Sequence, residues 1–167
     1  MKIYFFVSDM SGRGGTERTT ALLANTFVRK GHDVSIVSLI DENKDCVYEL
    51  DSKIDLVYLA TPSPNYLKTR INRLFLLLRA FIKILLNYSF KDNDSIIICQ
   101  GFLSSVFVWF SLNANRSIAC EHYKYEVYNS ALRAFRNFIY KSFMTVVVLT
   151  DNDAKRFKLH KVNAYVI

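Results

Sequence analysis

Short apolar, β-rich runs alternate with helical patterns along this chain, and that alternation restricts the fold more than any other feature. The runs are Lys2 to Ser8, Asp33 to Ile40, Ile54 to Ala60, Ser95 to Gln100, Arg116 to Glu121, Thr145 to Leu149 and Val162 to Ile167. Helical patterns fall at Thr16 to Lys30, Leu67 to Tyr88, Phe102 to Leu112, Val127 to Tyr140 and Asp151 to Phe157. Strands that are apolar on both faces and separated by helices predict a parallel sheet covered on both sides. The expected class is α/β: a doubly wound, Rossmann-like, mostly parallel sheet with helices on both faces. Such sheets bind ligands beyond the carboxyl ends of their strands. That rule directs attention to the turn after the first strand and to the residues just past Gln100, Glu121 and Leu149.

With 167 residues, 51% of them hydrophobic, the chain has the proportions of one compact domain over residues 1–167 and not of a disordered or low-complexity segment. The first helical stripe runs through Leu22, Leu23, Ala24, Phe27 and Val28 and ends at Gly31, placed to be the C′ residue. Cys46, Cys99 and Cys120 form no Cys-x-x-Cys pair, so a reduced, intracellular protein is expected. Ser8-Asp9 ends the opening apolar run too early for an export signal. Arg79 and Lys83 interrupt the apolar stretch from Leu74 to Leu86 well short of the ~20 residues that span a bilayer. A cytoplasmic location is the expectation.

The 22 basic and 15 acidic residues are unevenly placed. Lys68, Arg70, Arg73, Arg79, Lys83 and Lys91 fall in one stretch that carries no acid. Concentrated positive charge on a helix rich in Leu, Ile and Phe fits an anionic membrane surface, with long basic side chains reaching the headgroups. Arg70, Arg73, Arg79 and Lys83 are the expected membrane-facing residues; the competing reading is a sheet-covering helix with a solvated basic edge. Nucleic acid is not an expected partner, because the cations lie among aliphatic residues and no recognised module is present.

Ser11-Gly12-Arg13-Gly14-Gly15-Thr16-Glu17-Arg18 joins the first strand to the first helix. Glycines there let a ligand approach the backbone, and the N–H groups of a helix start favour an anion, most often phosphate. Thr16 is the expected N-cap, with Glu17 in the first turn. No Gly-Lys-Ser/Thr follows, so a P-loop is excluded. Gly12-x-Gly14 opens a dinucleotide fingerprint, but Glu17 stands at its third glycine position and the acid after strand two comes late, at Asp41. A nicotinamide-dependent oxidoreductase is the weaker alternative.

Gly14-Gly15-Thr16-Glu17-Arg18, followed by Lys30-Gly31-His32-Asp33-Val34, resembles the amino-terminal half of a GT-B glycosyltransferase of family 4. Ala119-Cys120-Glu121-His122, Val146 to Asp151 and Asn163 to Ile167 resemble later stretches of that half in the same order. The resemblance implies a retaining transfer of sugar from a nucleotide diphosphate sugar to a glycan or lipid-linked acceptor. It also implies a carboxyl-terminal nucleotide-sugar domain beyond this chain, without which little or no activity is expected.

By the same resemblance, Gly14, Gly15 and Thr16 are the donor diphosphate and sugar contacts, and His122 is the catalytic residue, bonding a hydroxyl of the transferred sugar. Glu121 is structural or acceptor-facing, and Tyr123 and Lys124 lie on the acceptor side or in an exposed loop. No cofactor and no obligatory metal are expected. His32 belongs to a helix-to-strand turn and His160 to the surface. The reading from a different class is a non-catalytic membrane-docking or scaffold subunit of a split transferase.

Overall fold

The computed structural model describes residues 1–42, 46–61, 70–87, 95–111 and 113–167. Pro62-Ser63-Pro64, the cations Lys68 and Lys91, and Asp94 lie outside the described residues. So do the side chains of Arg70 and Arg73. The chain divides into two compact units, Met1–Ser95 and Ile96–Ile167.

The first unit contains β1 (Lys2–Asp9), α1 (Gly15–Arg29), β2 (Asp33–Ile40), β3 (Asp55–Ala60) and α2 (Arg70–Asn87). β2 lies between β1 and β3 and runs parallel to both, with Ile36 opposite Phe5 on one side and Leu56 on the other. Every residue of β2 after Asp33 is buried, which is why its sequence is continuously apolar apart from two serines. Ser38 answers for its hydroxyl by accepting from the Met10 N–H (2.8 Å) and donating to the Ile40 carbonyl (2.6 Å).

α1 buries Thr20, Ala21, Ala24 and Val28, a stripe at helical spacing. Leu22, expected on that stripe, is 63% exposed. Two residues along a helix turn the side chain by about 200°, so Leu22 cannot share a face with Thr20 and Ala24. Thr20 is tolerated in the core because its hydroxyl donates to the Thr16 carbonyl (2.8 Å). The helix ends as the sequence predicts. The Gly31 N–H donates to Val28 O (2.9 Å) and the His32 N–H to Phe27 O (3.1 Å), the paired bonds of a Schellman motif. The His32 ring packs edge-on against Phe27, fixing His32 in the turn.

The second unit holds most of β4 (Ser95–Gln100), then α3 (Phe102–Phe110), β5 (Ser117–Cys120), α4 (Ser130–Tyr140), β6 (Thr145–Val148), α5 (Asp151–Leu159) and β7 (Ala164–Val166). Its strands pair in parallel in chain order, with Ile98 opposite Ile118, Ala119 opposite Val146 and Val147 opposite Tyr165. α4 starts at Ser130 and not at Val127, because Asn129 caps it by accepting from the Leu132 N–H (2.9 Å). Thr150 caps α5 by accepting from the Asp153 N–H. α3 is only partly buried: Ser104, Ser105, Phe107 and Val108 face inward while Phe110 is exposed, and Leu112 lies outside the described residues.

Gly31 adopts φ +82°, a region that costs an L-residue about 1–2 kcal/mol. Gly31→Ala should lower unfolding stability by about that amount in a denaturant titration; an unchanged midpoint would contradict this account of the helix stop.

Candidate functional site

The glycine segment is split in its chemistry. Its first half is satisfied internally: Asp9 Oδ1 accepts from both the Ser11 N–H (2.9 Å) and the Ser11 hydroxyl (2.6 Å). The helix cap then falls two residues before the expected one. Gly14 is the N-cap, so Thr16 stands at the second helical position. Glu17, at the third, reaches back and accepts from the Gly14 N–H (2.9 Å). This is the return half of a capping box; glycine has no side chain to supply the forward half.

The Gly14 amide, expected to be available to a ligand, is thus occupied by a carboxylate of its own helix. Tyr48 donates its hydroxyl to the Gly14 carbonyl (2.9 Å), pinning the same residue from the other side. The N–H groups of Gly15 and Thr16 remain as helix-start donors without an intrahelical acceptor.

Gly15 is exposed, and a methyl group added there would meet nothing within 4 Å. Its φ is not positive, since Gly31 and Gly101 alone among the described glycines have that conformation. Neither backbone geometry nor packing within the described chain calls for glycine at this position.

In the second unit, Glu121 and His122 follow β5 directly. Glu121 is 2% exposed. Its carboxylate accepts from the Tyr140 hydroxyl and from Arg136 Nη1 (3.3 Å), and Arg136 itself is fully buried. Of the two roles the sequence left open for Glu121, the geometry supports the structural one, because no part of the carboxylate is offered to an acceptor. Burial pushes the Glu121 carboxyl above its ordinary range, opposed by the Tyr140 hydrogen bond and the Arg136 charge.

Arg136 also donates from Nη2 to the Tyr125 carbonyl (2.8 Å), and its guanidinium lies against the rings of Tyr125, Tyr128 and Phe157 at 4.9, 5.1 and 4.7 Å. Asp153 accepts from the Tyr125 N–H (2.8 Å), and Asn137 donates to the Tyr125 hydroxyl (2.7 Å). The segment from Glu121 to Tyr125 is therefore anchored at both ends.

Between those anchors, His122 is half-buried while Tyr123 and Lys124 are exposed. His122 Nε2 lies 2.6 Å from Gln100 Oε1. Cys120, next to this segment, has its thiol pushed up to about 12 by burial and the neighbouring Glu121, which disfavours the thiolate. His160 is at the surface, stacked on the Tyr125 ring. Among the described residues no three His, Cys, Asp or Glu side chains group as metal ligands would.

The sequence reading did not single out Arg136, Tyr140 or Asp153. The available signal was position: Arg136 and Tyr140 are one turn apart on the apolar face of their helix, where a cation needs a buried acid.

α2 buries Leu76, Ala80 and Ile84, spaced four apart, and packs on β2 and β3. Leu74, Phe75, Leu78, Ile82 and Leu85 form an exposed apolar row on the same helix, and Arg79 and Lys83 are exposed at its flank. Among the described residues no helix is long and apolar enough to cross a membrane.

Parallel strands alternating with helices define a Rossmann-like α/β protein. The fold matches that of sucrose-phosphate synthase from Thermosynechococcus elongatus with a TM-score of 0.71, at 17% identity, over 99% of this chain and 47% of that one. The family model for Glycosyltransferase Family 4 matches residues 13–167, and the chain belongs to that family. It is 32% identical over 126 residues to an uncharacterized glycosyltransferase of Haemophilus influenzae, covering 74% of this chain and 33% of the relative. It is 28% identical over 155 residues to the amylovoran biosynthesis glycosyltransferase AmsD of Erwinia amylovora, covering 91% of this chain and 40% of the relative. The chain thus spans well under half the length of either.

Removing Arg136 would leave a buried carboxylate without its cation. Arg136→Met should cost about 3–5 kcal/mol at neutral pH. It also raises the Glu121 carboxyl further, and a protonated carboxyl needs no cation, so the cost should shrink toward about pH 5. Denaturant titrations at the two pH values check this; an equal cost at both would show that Glu121 does not carry the charge Arg136 answers.

Proposed function

We propose that this chain is the amino-terminal, acceptor-side domain of a retaining glycosyltransferase. The enzyme would move a sugar from a nucleotide diphosphate sugar to a glycan or lipid-linked acceptor, with the nucleotide held mainly by a carboxyl-terminal domain. The observation that carries the proposal is Gly15: a solvent-facing helix-start glycine that its own fold does not require. A glycine that neither the space around it nor its backbone requires is explained by something that comes to lie against it.

The chemistry fits those donors. When a nucleoside diphosphate departs, negative charge builds on its phosphate oxygens, and preorganised N–H groups stabilise that charge more than the ground state. Gly15 and Thr16 supply such groups at the positive end of α1. Gly14 contributes its shape, while its N–H holds Glu17 in place. His122, set by the anchored segment after β5, takes a hydroxyl of the transferred sugar, and Tyr123 and Lys124 border the acceptor. No metal is required in this scheme, since backbone donors here and cations of the carboxyl-terminal domain meet the leaving charge.

The Leu74, Phe75, Leu78, Ile82 and Leu85 row favours a second element: the enzyme works at an anionic membrane surface that presents its acceptor. Apolar side chains of an interfacial helix enter the acyl boundary while flanking cations reach phosphate headgroups. The chain should co-sediment with vesicles containing anionic phospholipid, less in high salt, and Arg79→Glu with Lys83→Glu should release it. Failure to bind such vesicles at low ionic strength would remove the membrane from the proposal.

Gly15→Ala tests the central reading. Alanine should leave stability unchanged or raise it by up to about 1 kcal/mol. In the complete enzyme it should lower kcat/KM by about 100-fold, the effect of displacing a bound group by roughly an ångström. A stable Gly15→Ala enzyme with full activity would refute the assignment.

A further inference from the structure

A cavity of about 400 Å³ opens in the second unit between α4 and the end of α5. Ser130, Arg133, Ala134, Asn137, Phe138 and Lys141 line it at steps of three and one, so a single face of α4 forms one wall along its whole length. Arg156 and His160 of α5, with Tyr125 and Glu126, complete the lining. Lys141 and His160 stand where α4 and α5 end and the chain turns back toward β6 and β7, at the amino ends of those strands. The cavity therefore extends away from the strand end that carries His122. Its volume falls within the roughly 300–1,000 Å³ of small-molecule sites.

The charge around it is one-sided. α4 contains no acid. Arg156 pairs with Glu126 (3.5 Å), but among the described residues the side chains of Arg133 and Lys141 have neither a hydrogen bond nor an ion pair. Arg133 is half-buried, and a cation drawn out of water ordinarily has an acid to answer it. Three cations and one acid leave an excess of two positive charges. Asn137, 5% exposed, is bonded at one end of its amide to the Tyr125 hydroxyl (2.7 Å), and the other end is buried without a partner.

Beside these polar groups lie flat apolar surfaces. The Phe138 ring is 60% exposed and is held edge-on by Trp109 (5.9 Å), with the small Ala134 one turn away. The Tyr125 and His160 rings stack at 6.1 Å.

We propose that this cavity binds a small organic phosphate, a compound that joins a phosphate group to a ring or similar flat body. A phosphomonoester carries a charge of about −1.5 to −2 at neutral pH, which matches the excess of two, whereas a carboxylate supplies half of it. The phosphate lies on Arg133, whose planar fork suits its oxygens, and on Lys141; the flat body lies on Phe138. The site shares no residue with Gly15 or His122 and does not rest on the sugar-transfer reading.

Calorimetric titration of the complete protein with phenyl phosphate and with inorganic phosphate tests this. Phenyl phosphate should bind, and inorganic phosphate more weakly. Arg133→Gln and Lys141→Gln should each weaken phenyl phosphate by about tenfold, the worth of a charged hydrogen bond. Phe138→Ala should bring it down to the affinity of inorganic phosphate. Lys155→Gln with Lys158→Gln, a charge change on α5 outside the cavity, should leave binding unchanged, as should Gly15→Ala.

No binding of phenyl phosphate at millimolar concentration overturns the site. So does a loss as large in the Lys155 and Lys158 pair as in Arg133→Gln with Lys141→Gln, which would show attraction by overall charge. Binding that vanishes in Gly15→Ala would place the phosphate at the start of α1 and overturn it too. Equal affinity for the two phosphates overturns the assignment of the flat body to Phe138.

Discussion

An α-helix begins with N–H groups that its own turns cannot satisfy, and this chain deals with them in two ways at one helix start. Glu17 folds back onto Gly14 and removes one donor from use. The next two donors belong to a glycine with open space where its side chain would be and to the threonine after it. The carboxylate that satisfies Gly14 also shows what this helix end attracts: a negatively charged oxygen at hydrogen-bond distance. A phosphate oxygen on Gly15 asks the same chemistry of the next amide. Reading the chain as half of a sugar-transfer site depends on that second amide being reached from outside.

The second unit solves a different problem, that of holding an exposed segment still. Arg136 is fully buried among three aromatic rings and bonded to both ends of the segment, at Glu121 and at Tyr125. A buried guanidinium is expensive to desolvate, and replacing a buried ion pair by a well-packed apolar cluster is often neutral or stabilising. What the ion pair adds is position: one side chain fixes the residue before His122 and the residue beyond Lys124. Gln100 Oε1 lies 2.6 Å from the Nε2 of the same histidine, at the end of the neighbouring strand. The segment is tied down at its entrance and at its exit, while Tyr123 and Lys124 between them are exposed.

The sequence made the strands readable because parallel strands buried on both faces lose their polar alternation, as β2 does. The Gly31 stop was readable because left-handed backbone nearly requires glycine. The glycine segment was readable from its run of glycines between a strand and a helix, yet its cap was not. Thr16 has the side chain that capping favours, but the actual cap, Gly14, is completed from the third helical position by Glu17, a return contact that side-chain preference does not reveal. Leu22 looked like core by composition and is excluded by helical angle. Arg136 was hidden because its acid lies 15 positions away across a strand end, and a charge within a helical pattern ordinarily reads as solvated.

The most direct examination of this account is a crystal structure of the complete protein bound to a nucleoside diphosphate sugar. A diphosphate oxygen within about 3 Å of the Gly15 nitrogen is the predicted result. A donor bound in full with its diphosphate well beyond hydrogen-bond reach of Gly15 and Thr16 would contradict it.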